Sequence, residues 1–211
     1  PSAQFMAELE PYDKRAKAVA NTVIGRLEGG DLAPENEIPG IPQAAIEDRA
    51  MLDLINQVQM YYTDADVSAA ALFNEDSNLR ARDIKKSDVS LIYKYTNTLY
   101  KLRMTGKQLR TYMEWSAEYY NTYMDGDLTV SFNPDIRMFN YDMFAGVNYE
   151  INVSEEPGSR IENLTKKDGT PVLDDDVFIV AVNNYRAGTQ LLNYGTVYQE
   201  GEVLPELLEM D

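Results

Sequence analysis

Residues 177–187 read VFIVAVNNYRA. The first part is a run of apolar β-formers that reads as a buried strand, and it stops abruptly at two asparagines. A strand without a polar face lies inside its domain, so the rest of the chain has to be arranged around it. A turn after that strand needs one Asn or Gly. It does not need Asn183, Asn184, Tyr185 and Arg186 together, with a planar ring beside a guanidinium.

Helical spacing of Ala16, Val19, Val23 and Leu27 predicts a helix over 7–28, stopped by Gly29 and Gly30. A Pro-rich loop follows. A second helix is expected over 43–62, with Leu52, Ile55, Val58, Gln59 and Tyr62 on one face. Residues 65–73, ADVSAAALF, read as a buried strand whose small residues imply close approach of something to the backbone. Residues 75–88 read as a polar connection. Residues 89–105 read as β-rich with a break near Thr96 and Asn97. A third helix is expected over 107–122, with Leu109, Tyr112, Met113, Ser116 and Tyr120 on one stripe. Strands are expected at 145–154, 160–165 and 177–183, joined by the hairpin-like links EEPGS and KKDGTPVLDDD. Helices dominate the first part, strands the second, and one helix crosses between strands. The fold class is mixed α and β (α+β) in layers, one domain over 1–211 with 1–64 as its helical part. The acidic tail after Gly195 is expected to fray or to continue in a longer protein.

The chain has no cysteine and no histidine among its 211 residues. That removes thiol chemistry, Cys-ligated zinc, a Ser-His-Asp triad and an imidazole base. The acidic groups at Asp125 and Asp127 and at Asp174–Asp176 lack the spacing of a calcium loop and read as solvated turns, so no metal site is expected. A formal charge of −16 disfavours a nucleic acid polymer as partner. It leaves room for a small phosphate ester held by local cations. No apolar run has the roughly 18 residues a membrane helix needs. The chain begins at Pro1 without Met, and a piece of a longer protein is expected.

Two readings of Tyr185 stand on the residues alone: a ring stacked on a planar ligand, or a cover for the sheet end beside an Asx turn. Arg186 reads as a partner for phosphate, ribose or carboxylate, or as a surface ion pair. A planar ligand has two faces, so a second ring is wanted. YKYTNTLY (93–100) offers it, with Tyr95 beside Asn97 as the candidate.

The segments VSAAALF, IYKYTNTL, TGKQLRTYMEWSAEYYN, FNYDMFAGVNYEI and VAVNNYRA, in that order, resemble the C-terminal domain of the 5′-nucleotidase family, and nearly the whole chain is covered. The likeness is to the bacterial 2′,3′-cyclic-nucleotide 2′-phosphodiesterase/3′-nucleotidase branch. The 5′-nucleotidase branch has a Gly-rich segment ending in Arg where this chain reads AAALF, with Phe73 at the Arg position. The resemblance implies a layered α/β/β/α substrate-binding domain. It implies stacking of a base between Tyr95 and Tyr185, contact from Asn97, a loop shaped by Asn183 and Asn184, and Arg186 nearby. It also implies an N-terminal metallophosphoesterase domain before Pro1, holding two divalent metal ions and doing the hydrolysis, so that this fragment alone is inactive and holds no cofactor. The expected partners are a nucleotide or nucleoside, adenine type, and the protein's own catalytic domain. The expected place is extracellular, cell wall or periplasm. The alternative is a non-catalytic nucleoside-binding or structural module on the cell surface.

Overall fold

The computed structural model describes residues 2–33, 35–73 and 77–210, the last for its backbone alone. The helices are α1 (Ala3–Ala20), α2 (Gln43–Ile46), α3 (Ala50–Thr63), α4 (Val89–Ile92), α5 (Gly106–Ala117) and α6 (Asn184–Arg186). The strands are β1 (Val23–Arg26), β2 (Val67–Ala70), β3 (Asp83–Lys85), β4 (Leu99–Thr105), β5 (Met143–Ala145), β6 (Val147–Ile151), β7 (Ile161–Lys166), β8 (Val177–Asn183) and β9 (Glu206–Met210).

Five strands form the central sheet in the order β5-β2-β8-β4-β9; β2 and β8 run parallel and the other neighbours antiparallel. The strand alternation sorts the core into two parts. Val67, Ala69, Leu102, Met104, Phe178, Val180 and Val182 pack with Leu109, Tyr112 and Met113 of α5 and with Ile161 and Leu164 of β7. Ala70 belongs to a second cluster with Met51 and Leu52 of α3 and with Met143. Helices and sheets are thus layered, as expected for an α+β domain.

The small residues of β2 are explained by α3. Gln59 Nε2 donates to Ser68 Oγ (2.8 Å) and to Ala69 O (3.1 Å), Ser68 Oγ donates to Asn56 Oδ1 (2.8 Å), and Asn56 Nδ2 donates to Met143 O (3.3 Å). All three polar side chains are buried and every one is satisfied, so the network fixes helix to sheet rather than weakening it. Larger residues on β2 would hold the two amides away from the strand. At Gly146 the need is for the absence of a side chain. Its φ is +99°, and a Cβ there would stand 2.1 Å from Asp66 O.

Several boundaries differ from the sequence reading. The first helix ends at Ala20, not 28, because Asn21 Nδ2 and Thr22 Oγ1 donate back to Lys17 O and Ala18 O and occupy the last carbonyls. Val23 then enters a strand that pairs with β3. The helix expected over 43–62 is two helices, because Glu47 and Arg49 are extended and Met51 N donates to Leu32 O instead of closing a helical turn. Its buried stripe is Met51, Leu52, Asn56, Gln59 and Thr63; Val58 and Tyr62 are exposed. Of the connection expected over 75–88, residues 75 and 76 lie outside the described residues, and the remainder contains β3. Residues 89–105 begin as the helical turn α4 and become β4 only at Leu99. KKDGTPVLDDD is hairpin-like only at its start: Lys166 N donates to Thr170 O and Val172 N to Leu164 O, folding the chain back on β7. It does not join paired strands, because β7 pairs with β6 while β8 pairs with β2 and β4, so the rest of the link passes between sheets. The tail does not fray. β9 adds to the edge of β4, with Arg103 on Glu206 and Lys101 on Glu209.

Candidate functional site

The register of β4 against β8 builds the site. Leu99 faces Asn183 and Thr105 faces Val177, with seven residue pairs between and including them. The end of β8 therefore lies beside the start of β4. Asn184 carries the pairing one step further: its N–H donates to Thr98 O (2.9 Å) and its Oδ1 accepts from Thr98 N (3.1 Å). The loop entering β4 and the chain leaving β8 are thereby held side by side. β2 runs parallel to β8, which brings Ala71 and Phe73 to the same end of the sheet.

These three segments, with Phe139, enclose a cavity of about 310 Å³ lined by Ala71, Phe73, Tyr93, Lys94, Tyr95, Asn97, Phe139, Asn183, Tyr185 and Arg186. Of the residues the sequence singled out, Tyr95, Asn97, Asn183, Tyr185 and Arg186 are brought together. Asn184 is not a wall; it stitches the two segments. Tyr95 is 59% exposed and Tyr185 48%, so both rings present area to solvent. Phe73 meets the Tyr95 ring edge-on at 5.3 Å and steadies it.

The polar groups are locally constrained. Asn183 is the N-cap of α6: its Oδ1 accepts from Arg186 N (2.8 Å), which starts the helical turn that carries Tyr185. Asn97 Nδ2 donates to Tyr93 Oη (2.8 Å), folding the 93–98 loop on itself and ending the strand pattern there. Burial pushes the Tyr93 hydroxyl above the ordinary tyrosine value, against the pull of the Asn97 bond.

Arg186 makes an ion pair, as one of its two readings had it, but a buried pair and not a surface one. It is 2% exposed, and its Nε lies 2.6 Å from Asp142 Oδ2. Nη1 donates to Asn140 Oδ1 and Nη2 to Phe139 O, while the guanidinium carbon sits 5.0 Å from the centre of the Trp115 ring. Tyr112 Oη donates to the same carboxylate, Asp142 Oδ2, at 2.5 Å. Burial lowers the guanidinium pKa, but Asp142 and Tyr112 raise it further, so the net shift is upward. Burial first and Asp142 second push the Tyr112 hydroxyl well above its ordinary value. Arg186 is therefore a floor post, its charge balanced from below by a carboxylate that the sequence reading did not identify.

Sequence reasoning also missed Tyr93, Lys94 and Phe139 as lining residues. Tyr93 and Lys94 flank the chosen Tyr95 and were within its motif; Phe139 carried no signal beyond its place in FNYDMF. The two acidic loops serve their own turns: Asp127 accepts from Met124 N, and Asp176 pairs with Lys166 and accepts from Leu173 N. Among the described residues no three His, Cys, Asp or Glu side chains come together as a metal site.

Residues 23–194 match the family model of the 5′-nucleotidase C-terminal domain. The trifunctional nucleotide phosphoesterase protein YfkN of Bacillus subtilis is 28% identical over 178 residues, 68% of this chain and 12% of that protein. The 2′,3′-cyclic-nucleotide 2′-phosphodiesterase/3′-nucleotidase of Salmonella typhimurium is 33% identical over 111 residues, 46% of this chain and 17% of that protein. A crystal structure of a protein described as a 5′-nucleotidase, from Staphylococcus aureus, superposes with a TM-score of 0.76 at 26% identity. It covers 93% of this chain and 36% of its own. The chain therefore spans only a minor part of each of these relatives.

Proposed function

We propose, for a chain that belongs to the 5′-nucleotidase C-terminal domain family, that it binds the nucleotide substrate of a 2′,3′-cyclic-nucleotide 2′-phosphodiesterase/3′-nucleotidase. The base stacks between Tyr95 and Tyr185. Hydrolysis belongs to a metallophosphoesterase domain of the same protein, which holds two divalent metal ions. The protein acts in the periplasm, at the cell wall or outside the cell. The metal pair does not fit this chain, which has no histidine and, among the described residues, no cluster of carboxylates to hold it.

The observation that carries the reading is the convergence of Tyr95, Asn97, Asn183 and Tyr185, from segments 90 positions apart, on one cavity of about 310 Å³. With Asn97 Nδ2 given to Tyr93 and Asn183 Oδ1 given to the Arg186 backbone, one amide oxygen and one amide nitrogen are left for a ligand. An acceptor and a donor on the wall of one cavity complement the amino group and ring nitrogen of adenine. The domain then contributes position rather than acid–base groups: it holds the ester where the catalytic domain attacks it.

Calorimetry of the 211-residue chain with adenosine and 3′-AMP tests this. Tyr185→Ala is expected to weaken binding of both by about 1–3 kcal/mol, the usual contribution of one stacked base. Its melting temperature is expected to stay unchanged, because the ring is half exposed. The chain alone is expected to release no phosphate from 3′-AMP. Equal affinity in the wild-type and the Tyr185→Ala chain removes the stacking reading.

A further inference from the structure

The cavity described above has a charge pattern opposite to that of the molecule. The chain carries 35 acidic and 19 basic residues, yet no carboxylate is among the described residues that line this cavity. The same holds for the adjoining hollow, which shares Phe73 and Phe139 with it and adds Arg137. The charged lining residues are Lys94 and Arg186 in the first and Arg137 in the second. A third hollow, between α3 and β6, shows the contrast: its rim holds Glu47, Asp48 and Asp53.

Arg186 does not supply free positive charge, because Asp142 balances it. Lys94 does. It is exposed, no carboxylate among the described residues pairs with it, and its Nζ stands 5.4 Å from the centre of the Phe73 ring. Phe73 thus meets both the edge of the Tyr95 ring and the ammonium of Lys94. An ammonium resting on an aromatic face keeps its three donors outward and gives up part of the rotamer freedom that a free lysine would lose on binding. The chain thus holds a cation at a fixed place beside one of the two candidate stacking rings.

We infer that Lys94 is the residue by which this cavity distinguishes a phosphorylated ligand from its unphosphorylated counterpart. The inference rests on the proposed base stacking. The base lies between the rings, and the phosphate is met at the rim by Lys94, which uses Phe73 as its platform. Arg186 takes no part in that contact and serves to keep the floor in place.

The test measures adenosine, 3′-AMP and 5′-AMP binding to the wild-type, Lys94→Gln and Lys94→Arg chains by calorimetry at low and at high salt. The wild type is expected to prefer one of the two nucleotides over adenosine by about three- to tenfold, a preference that shrinks as salt rises. Lys94→Gln is expected to abolish that preference and leave adenosine affinity unchanged, while Lys94→Arg retains it. A preference that survives in Lys94→Gln overturns the assignment. So does a wild-type chain that binds adenosine and both nucleotides equally; stacking then stands if Tyr185→Ala still weakens adenosine. If neither adenosine nor nucleotide binds, the base-stacking reading fails and takes this inference with it.

Discussion

Two buried arginines hold two different regions of this molecule, and they do so with opposite chemistry. Arg160, at the entry to β7, has no exposed surface, and its guanidinium donates almost entirely to backbone: Glu155 O, Ala117 O and Tyr120 O, with Thr122 Oγ1 as the one side chain. Ala117 O and Tyr120 O lie at and just past the end of α5, where a cation is favoured by the helix dipole. Glu114 stays off the guanidinium and accepts instead from the backbone N–H groups of Arg160 and Ile161, both at 2.8 Å. Arg186 is matched by a buried carboxylate. The first arginine is a clamp between helix and hairpin. The second is half of an ion pair beneath a cavity. A buried arginine near a candidate site is thus no evidence that it meets the ligand; where its charge goes decides that.

Alkaline pH tests both regions at once and is expected to have the largest effect. Burial holds the Tyr112, Tyr120, Tyr141 and Tyr198 hydroxyls above the ordinary value and Tyr149 up to about 12. Tyr112 belongs to the Arg186 region, and the Tyr120 backbone carbonyl to the Arg160 region. A hydroxyl whose pKa is raised on folding binds its proton more tightly in the native state. Its contribution is complete below pH 10 and is lost as pH rises through 10 toward 12 and beyond. Denaturant midpoints measured across that range are expected to fall steeply; a flat profile would mean that the tyrosines are not buried in solution.

Next in size is Arg160→Met. It strands several carbonyls at once and is expected to cost on the order of 4 kcal/mol in urea unfolding. Arg186→Met leaves Asp142 charged and buried, and is expected to cost about 3 kcal/mol. The comparison is sharpened by the double replacement Arg186→Met with Asp142→Leu. Removing the stranded carboxylate is expected to recover about half or more of the loss. No second substitution offers the same recovery at Arg160, whose partners are mostly main chain. A double variant no more stable than Arg186→Met alone would break the distinction between clamp and ion pair.

The parts that were legible in the sequence are those decided locally. The β8 strand is a continuous apolar run, α5 carries its expected period, and the stripe Leu109, Tyr112, Met113 and Ser116 is buried as read. Half of the cavity's lining was also found, Tyr95, Asn97, Asn183, Tyr185 and Arg186, because a ring beside paired amides has little reason to end a strand. Partnerships between distant residues were not legible. Nothing near Arg186 announces Asp142, 44 positions earlier, and nothing in the acidic tail announces that Glu206 and Glu209 meet Arg103 and Lys101. The break at Glu47 went unseen for the same reason, since Leu32 O lies outside any local window. The short first helix is different: the back-bonds of Asn21 and Thr22 that end it are local, and the apolar spacing of Val23 and Leu27 overrode them in the reading.

The unbroken alignment of β4 with β8 has a consequence for how such a domain tolerates change. The distance between the two tyrosine-bearing segments is carried by the ladder, not by the chain that connects them. A loop within 106–176 that lies away from Trp115, Phe139 and Asp142 can be lengthened or shortened so long as the strands still meet, and the opening stays the same width. One extra residue inside either strand is a different matter: it shifts its ring by about 3.3 Å and turns the following side chains to the opposite face.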